Sequence, residues 1–598
     1  MSPRDPEGIL AGWPRSQPTP SPPPRCEAFH SRSFRHDLPG LSPRPNRPRS
    51  PGGPRTLPWV LWAGAAAGLA LAGCKSARAH AESADEEVYA ILEARRLQLE
   101  ADLGSVDIDP QTDTLRQRLE AEGDQAEPMT LKLVEALEVA AENSRDYQTR
   151  KEALYLTALD LTLERWRFQV QEVGTLGALV TGTGNEAQDA TLDGNLRLSK
   201  VLGTGARIVG DIGFSMFRVL TTGDAFDFVS DLGLSITQPL LGGFGERIVM
   251  EPLTQAERDV VYAVRAFERF RRTFVFDVTS RYLRLLQAAN TVENQRANYE
   301  SLTELRRRNE AWGQAGRMSD VEVDQARQQE VESRDELIQA EQDFQSQLDD
   351  FKFLLGLPPQ AKIQVSPDAL DRLSAAEPTA LPFENADFLS MFALKWRLDH
   401  LTALDQVDDA RRHAEVAADA LRNRLDFNAA ATLSSTEGEN DPLDIDLDDT
   451  QWRAGLDANL ALDRMQERNS YRISLIALQR AERSASESED QIRLGLRDAL
   501  REAERTLQSW ILQKGQVALN ERRMESARLQ LEAGRASTRD ILEATRDMLS
   551  AKNSATRTLI DQYLAVLALW RDLEVLRLGS DGPYPDPEML ALLEAPQP

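Results

Sequence analysis

Two periodicities share this chain. Between Leu253 and Trp312, apolar side chains recur at Val260, Val264, Phe267, Phe274, Val278, Leu285, Val292 and Tyr299, with neither Gly nor Pro in the whole stretch. Steps of three, four and seven predict a helix with one packed seam. At 1.5 Å per residue it would run roughly 90 Å, far beyond an ordinary globular helix. Gly313 and Gly316 interrupt it, Arg317 to Leu355 is again free of both breakers, and Gly356-Leu357-Pro358-Pro359 stops it. The chain is therefore expected to run out, turn and run back. The same layout recurs: a helical stretch from about Arg464 to Glu532, then Ala533-Gly534-Arg535 mirroring Ala315-Gly316-Arg317, then a return helix from Arg535 to Leu578, ended by Gly579. Shorter amphipathic helices are predicted ahead of each unit, at about 130–170 and 385–424. This is an internal duplication, with Gly316 and Gly534 at its turns.

The second periodicity is two. Ile208, Ile212, Phe214 and Met216 alternate with Asp211, Gly213 and Ser215, and Phe228, Leu232, Leu234 and Ile236 alternate with Asp231, Gly233, Ser235 and Thr237. In the second unit Leu425, Phe427, Ala429, Ala431 and Leu433 alternate with Asp426, Asn428, Thr432 and Ser434. Trp452, Leu456, Leu460 and Leu462 alternate with Arg453, Asp457, Asn459 and Asp463. Such segments are strands with one apolar and one polar face. About ten residues suffice to cross a bilayer as a tilted barrel strand. A strand pair on a soluble core is the commoner use of alternation, but no neighbouring helix pattern offers a flat apolar partner. Four strands cannot close a barrel, and open edges are not tolerated in lipid. The barrel is therefore expected to be shared between chains, with twelve strands if three copies contribute.

The start of the chain points to the same place. Residues 1 to about 56 are rich in Pro, Arg and Ser, a composition expected to stay disordered. An apolar run from Leu57 to Gly73 is too short to span a bilayer comfortably and fits the core of a secretory signal. It ends in Leu71-Ala72-Gly73-Cys74, which resembles the lipobox of bacterial lipoproteins, in which the cysteine is acylated after cleavage. Lys75 is compatible with sorting to the outer membrane.

Charge and chemistry remove other classes. With 96 acidic against 70 basic residues and a formal net charge of −26, nucleic acid is not an expected partner. Two cysteines, Cys26 and Cys74, make no disulfide framework, and five scattered histidines show no metal-ligand spacing. Thr181-Gly182-Thr183-Gly184 and Gly203-Thr204-Gly205 complete no nucleotide-binding motif and read as tight turns. No cluster of titratable groups marks a catalytic pocket, so neither an enzyme nor a cofactor is expected.

The arrangement resembles the TolC family of outer-membrane efflux channels over roughly residues 129–578. Thr130-Leu131, Glu135-Ala136-Leu137 and Asn143-Ser144-Arg145-Asp146-Tyr147 look like the family's first-helix signature, and Trp396-Arg397-Leu398-Asp399-His400 like its second copy. Gln238-Pro239-Leu240-Leu241-Gly242-Gly243 matches the family's strand-to-helix junction; its counterpart, Leu460-Ala461-Leu462-Asp463-Arg464, lacks the Pro. Asp146 and Asp399 are 253 residues apart but Gly316 and Gly534 only 218, so the first strand region should be longer by about 35.

The resemblance implies a mainly α fold with a membrane β-barrel part: a duplicated unit of long antiparallel coiled-coil helices plus a β-hairpin, twelve strands and twelve helices per homotrimer. It implies a lipid-anchored outer-membrane export duct, for efflux or type I secretion, with a periplasmic helical tunnel. The duct would meet a periplasmic adaptor protein and an inner-membrane pump. The organisation expected is a leader and lipoprotein signal over 1–73, an acidic tether over 74–128, and a first repeat over 129–360 (strands about 191–240, helix pair 250–355). A linker over 361–384, a second repeat over 385–579 (strands about 425–463, helix pair 464–578) and a tail over 580–598 complete it. The competing reading is a periplasmic coiled-coil lipoprotein acting as spacer or adaptor, which has no use for the alternating strands.

In the family, an acidic pair six and nine residues after the second turn glycine lines the periplasmic constriction. Those positions are Asp540 and Glu543, and the first repeat has Glu322 and Gln325 at the same offsets. One helical turn separates Asp540 from Glu543, so they share a face. Repeated threefold they would make carboxylate rings attractive to cations. Acids at a helix start also favour the macrodipole without lining any pore.

Overall fold

The structure, a computed structural model, describes residues 75–99, 106–109, 114–122, 127–183, 187–219, 227–376, 378, 385–435, 447–579 and 582–594. Cys74 and the apolar run before it lie outside the described residues. Helices α1 (Ala77–Leu99) and α2 (Leu115–Glu122) lead into strand β1 (Met129–Leu131), α3 (Leu133–Asn143) and α4 (Arg145–Arg167). Four strands follow: β2 (Gln171–Thr183), β3 (Ala187–Val201), β4 (Arg207–Val219) and β5 (Asp227–Pro239). The short α5 (Glu246–Val249) opens onto α6 (Glu251–Gln314), 64 residues long, and α7 (Asp320–Leu354). Next come β6 (Ile363–Val365), α8 (Asp368–Ala375), α9 (Ala386–Trp396), α10 (Leu398–Asp419), β7 (Arg424–Ser434) and β8 (Gln451–Asn459). The 68-residue α11 (Met465–Glu532), α12 (Thr538–Asp572), the hairpin β9 (Leu576–Gly579) and β10 (Gly582–Pro585), and α13 (Pro587–Glu594) end the chain. No described helix is long and apolar enough to cross a membrane.

The seam read from the sequence is the buried face of α6. Val260, Val264, Phe267, Phe274, Val278 and Leu285 are buried, joined by Leu154 and Leu161 of α4, while Val292 and Tyr299 are half-buried. Tyr147 sets its ring against Phe267 and Phe274 at 5.7 and 5.1 Å. Tyr282 is fully buried, its hydroxyl 3.0 Å from the carbonyl oxygens of both Leu131 and Ser366. It thereby ties α6 to the parallel pair β1 and β6, and burial pushes its phenol up to about 12. A second, smaller core gathers Leu389, Phe392, Ile492, Leu496, Leu500 and Leu569 around α9, α11 and α12.

Three segments expected as tether, linker and tail are built into the fold. Within the expected tether, Val88, Ile91 and Leu92 of α1 are buried in the main core, because the short apolar fragment has an apolar helix, α4, to pack against. The expected linker supplies β6 and α8, and the expected tail closes β10 on β9 and buries Leu593.

The sheet is the larger correction. It holds six strands in the order β2-β3-β4-β5-β7-β8, every neighbouring pair antiparallel, where the alternation predicted four. The first repeat contributes four strands rather than two, over 171–239 rather than about 191–240. The longer spacing in that repeat is this extra hairpin, β2–β3. A twelve-stranded total from three copies therefore does not follow from this chain. The register sorts the side chains by face. Leu192, Leu196, Ile212, Met216, Leu232, Leu234, Ile236, Ala431 and Trp452 share one side. Asp193, Arg197, Asp211, Ser215, Asp231, Asn428 and Asp457 share the other.

Candidate functional site

The sites named from the family lie at the two helical turns, which are built alike. Gly316 and Gly534 hold left-handed backbone, with φ of 69° and 67°. At each, a six-residue closure caps the outgoing helix: Arg317 N–H donates to the Trp312 carbonyl and Arg535 N–H to the Gln530 carbonyl, both at 2.8 Å. This satisfies carbonyls that α6 and α11 would otherwise leave open, and it needs a residue free to adopt positive φ. Three residues later a serine starts the return helix. Ser319 N–H donates to Glu322 at 3.2 Å, and Ser537 N–H donates to Asp540 at 2.8 Å. Each serine hydroxyl in turn accepts the backbone N–H of its acid, at 3.4 Å. These are reciprocal capping boxes. Their Ser-x-x-acid pattern stands in the sequence at both turns, although the sequence reading singled out only the acids.

Asp540 is therefore engaged as a cap. The Ser537 backbone N–H, and then its hydroxyl, hold the carboxyl below the usual aspartate range. Glu543, one turn on and also exposed, pairs with Arg523 of α11 at 2.7 Å, and the same guanidinium pairs with Asp547. Glu322, half-buried, caps α7. The structure thus brings Asp540 and Glu543 together on one helix and sets Glu322 at the matching place on the other.

The two turns are also held to each other. Leu302 and Leu305 of α6 pack on Leu531 and Ile541. Arg546 of α12 reaches α7, donating to Gln329 at 2.9 Å and lying 3.7 Å from Glu332. These exposed pairs are each worth at most about 1 kcal/mol; the apolar cluster carries most of the attachment.

The other candidate surface is the apolar side of the sheet. Leu176, Val180, Trp452 and Leu456 are 64, 69, 77 and 62% exposed. On the opposite side, Arg197 pairs with Asp211 at 2.6 Å and Ser215 donates to Asp193 at 2.8 Å. One face is thus suited to lipid and the other to water, on strands of 9 to 15 residues.

Comparison with known proteins bears directly on this geometry. Residues 224–357, which include β5 and the first helix pair, match the family model of outer membrane efflux proteins. That match spans 134 of the chain's 598 residues. The fold agrees with three solved outer-membrane proteins. The outer-membrane channel OprN superposes with a TM-score of 0.55 at 15% identity, covering 79% of this chain and 96% of that one. The CmeC outer membrane channel of Campylobacter jejuni gives 0.54 at 14% identity, covering 82% and 94%. The outer membrane protein VceC of Vibrio cholerae gives 0.52 at 14% identity, covering 77% and 98%. No curated protein matches the sequence. The resemblance to the TolC family thus holds for the fold, with its helical pairs and antiparallel sheet.

Proposed function

We propose that this chain is an outer membrane efflux protein, an export duct that works as a homotrimer. Its sheet stands in the outer membrane and its helix pairs reach through the periplasm to an adaptor protein and an inner-membrane pump. Solutes from the pump, in efflux or in type I secretion, pass through the lumen. A lipid on Cys74 anchors the chain in the outer membrane. The duct performs no catalysis.

The observation that carries this reading is the two-faced sheet joined directly to helices of 64 and 68 residues. Among the described residues no element covers its apolar side, and Trp452 and Leu456 lie open on it. A spacer or adaptor has no use for such a sheet. Thirteen residues at about 3.3 Å each, tilted by about 40°, span the apolar band of an outer membrane. In the trimer, Asp540 and Glu543 would form two stacked carboxylate rings at the periplasmic constriction, with Glu322 adding a third. Rings of this kind favour cations.

Extraction and sizing test the reading. The full chain expressed with its leader should fractionate with outer membranes, require detergent for release and sediment as a trimer. Release by buffer alone, as a monomer, would contradict it.

A further inference from the structure

We propose that the barrel built by this chain has eighteen strands, six from each of three copies, closed by β8 of one copy pairing with β2 of the next. The proposal rests on the export-duct reading and departs from the twelve strands that the family resemblance implies.

The hairpin β2–β3 is part of the sheet. β2 pairs with β3 from Gln171↔Ser199 to Thr183↔Ala187, and β3 pairs with β4 from Val201↔Arg207 to Asp189↔Val219. Side chains lock the joint on the polar face, where Arg197 meets Asp211 at 2.6 Å and Ser215 meets Asp193 at 2.8 Å. On the apolar face the Phe214 ring occupies the space over Gly194, where any Cβ would collide with it. The apolar face also continues across the joint, from Met216 and Ile212 through Leu192 and Leu196 to Ala178, Leu176 and Val180. A hairpin folded into the lumen would strip this face of its neighbours and place Leu176 and Val180 in water.

The edges of the sheet say how it closes. β2 leaves α4 and β8 returns to α11, so the two outer strands run in opposite directions. With an even number of strands per copy, β8 of one copy meets β2 of the next antiparallel, as all other neighbours in the sheet do. Unpaired strand edges are not stable in lipid, and this pairing removes every one of them. Barrel diameter grows roughly linearly with strand number, so the pore would be about 1.5 times as wide as a twelve-stranded one.

Disulfide trapping in the full-length chain, together with cryo-electron microscopy of the detergent-extracted oligomer, tests this. Thr175→Cys is combined in turn with Arg453→Cys, Gly455→Cys and Asp457→Cys, to scan the β2–β8 register. A second series combines Val209→Cys of β4 with the same three. In each pair the two positions are separated by several strands within one chain, so covalent trimers in denaturing gels report contact between copies. Trimers from the Thr175 series, absent from the parent chain, and eighteen strands in the density are the expected results. Trimers from the Val209 series, or a twelve-stranded trimer with the hairpin displaced, would overturn the proposal while leaving the duct intact. A chain that is neither trimeric nor membrane-embedded would overturn both.

Discussion

Asn309 Nδ2 donates to Thr538 Oγ1 at 3.1 Å, in a contact wholly closed to solvent. The pair joins the last turns of α6 to the first residue of α12, and so fastens the turn of one repeat to the turn of the other. Thr538→Val keeps the shape but strands the buried Asn309 amide. It should cost about 1–3 kcal/mol and speed hydrogen exchange at the start of α12. The double variant Asn309→Leu/Thr538→Val should recover part of that loss. Equal losses in the single and double variants would show that the hydrogen bond does not hold the turns.

Glycines at the three helix ends should respond differently to alanine. Gly316 and Gly534 have positive φ but open space around a built Cβ, so each substitution should cost about 1–2 kcal/mol of backbone strain. Gly356 has φ 73°, and a Cβ there would also run into the Asn143 carbonyl. Gly356→Ala should therefore lower the unfolding midpoint well beyond Gly534→Ala in denaturant titrations of the detergent-solubilised protein. Equal effects would contradict the packing.

Glu574 is buried just after α12, between Arg269 and Arg272 of α6. It is also the one non-glycine residue with positive φ among those described. Its bonds to two guanidinium groups hold a strained backbone in place. Glu574→Ala takes one acidic partner from each guanidinium, leaving Arg269 with Asp399 and Arg272 with Glu268, and should cost about 1.5–3 kcal/mol. Glu574→Gln, which keeps one side-chain oxygen acceptor for the two guanidinium groups, should be less damaging than Glu574→Ala. Unfolding monitored by circular dichroism distinguishes the two outcomes.

The cap at Asp540 gives the second turn a pH dependence. Its carboxyl titrates below its ordinary value of 3.8 in the folded chain, so the cap's contribution is complete above that value. It is lost as pH falls through the depressed folded value. Amide exchange at the start of α12, corrected for intrinsic rates, should lose protection below about pH 3.8 in the native chain. In Asp540→Asn, which keeps an oxygen acceptor but cannot titrate, protection should vary less over the same window.

How much of this was legible in the sequence follows from how far each signal is repeated. The seam from Val260 to Leu285 extends over many turns, and the structure buries all of it. The duplicated Ala-Gly-Arg turns sit where their spacing predicts. The hairpin β2–β3 escaped for local reasons. β2 carries Gly and Leu on both faces, so no alternation marks it, and Thr181-Gly182-Thr183 ends the strand where a turn was expected. In β3 the apolar face is broken at Gly194, whose missing side chain is supplied by Phe214 across the ladder. By contrast, Gly203-Thr204-Gly205 is the turn between β3 and β4. The cap partners of Asp540 and Glu322 lie three residues away and were readable. The partner of Asn309 lies 229 residues away and was not, because only the packed fold brings the two turns together.

Conductance of the purified full-length trimer in planar bilayers tests the central claim most directly. Discrete channels that prefer cations are expected, with the preference reduced in Asp540→Asn/Glu543→Gln, a variant that keeps the hydrogen-bonding shape of both side chains and removes their charge. Channels whose selectivity is unchanged by that variant would move the constriction elsewhere. A trimer that never conducts would contradict the duct itself.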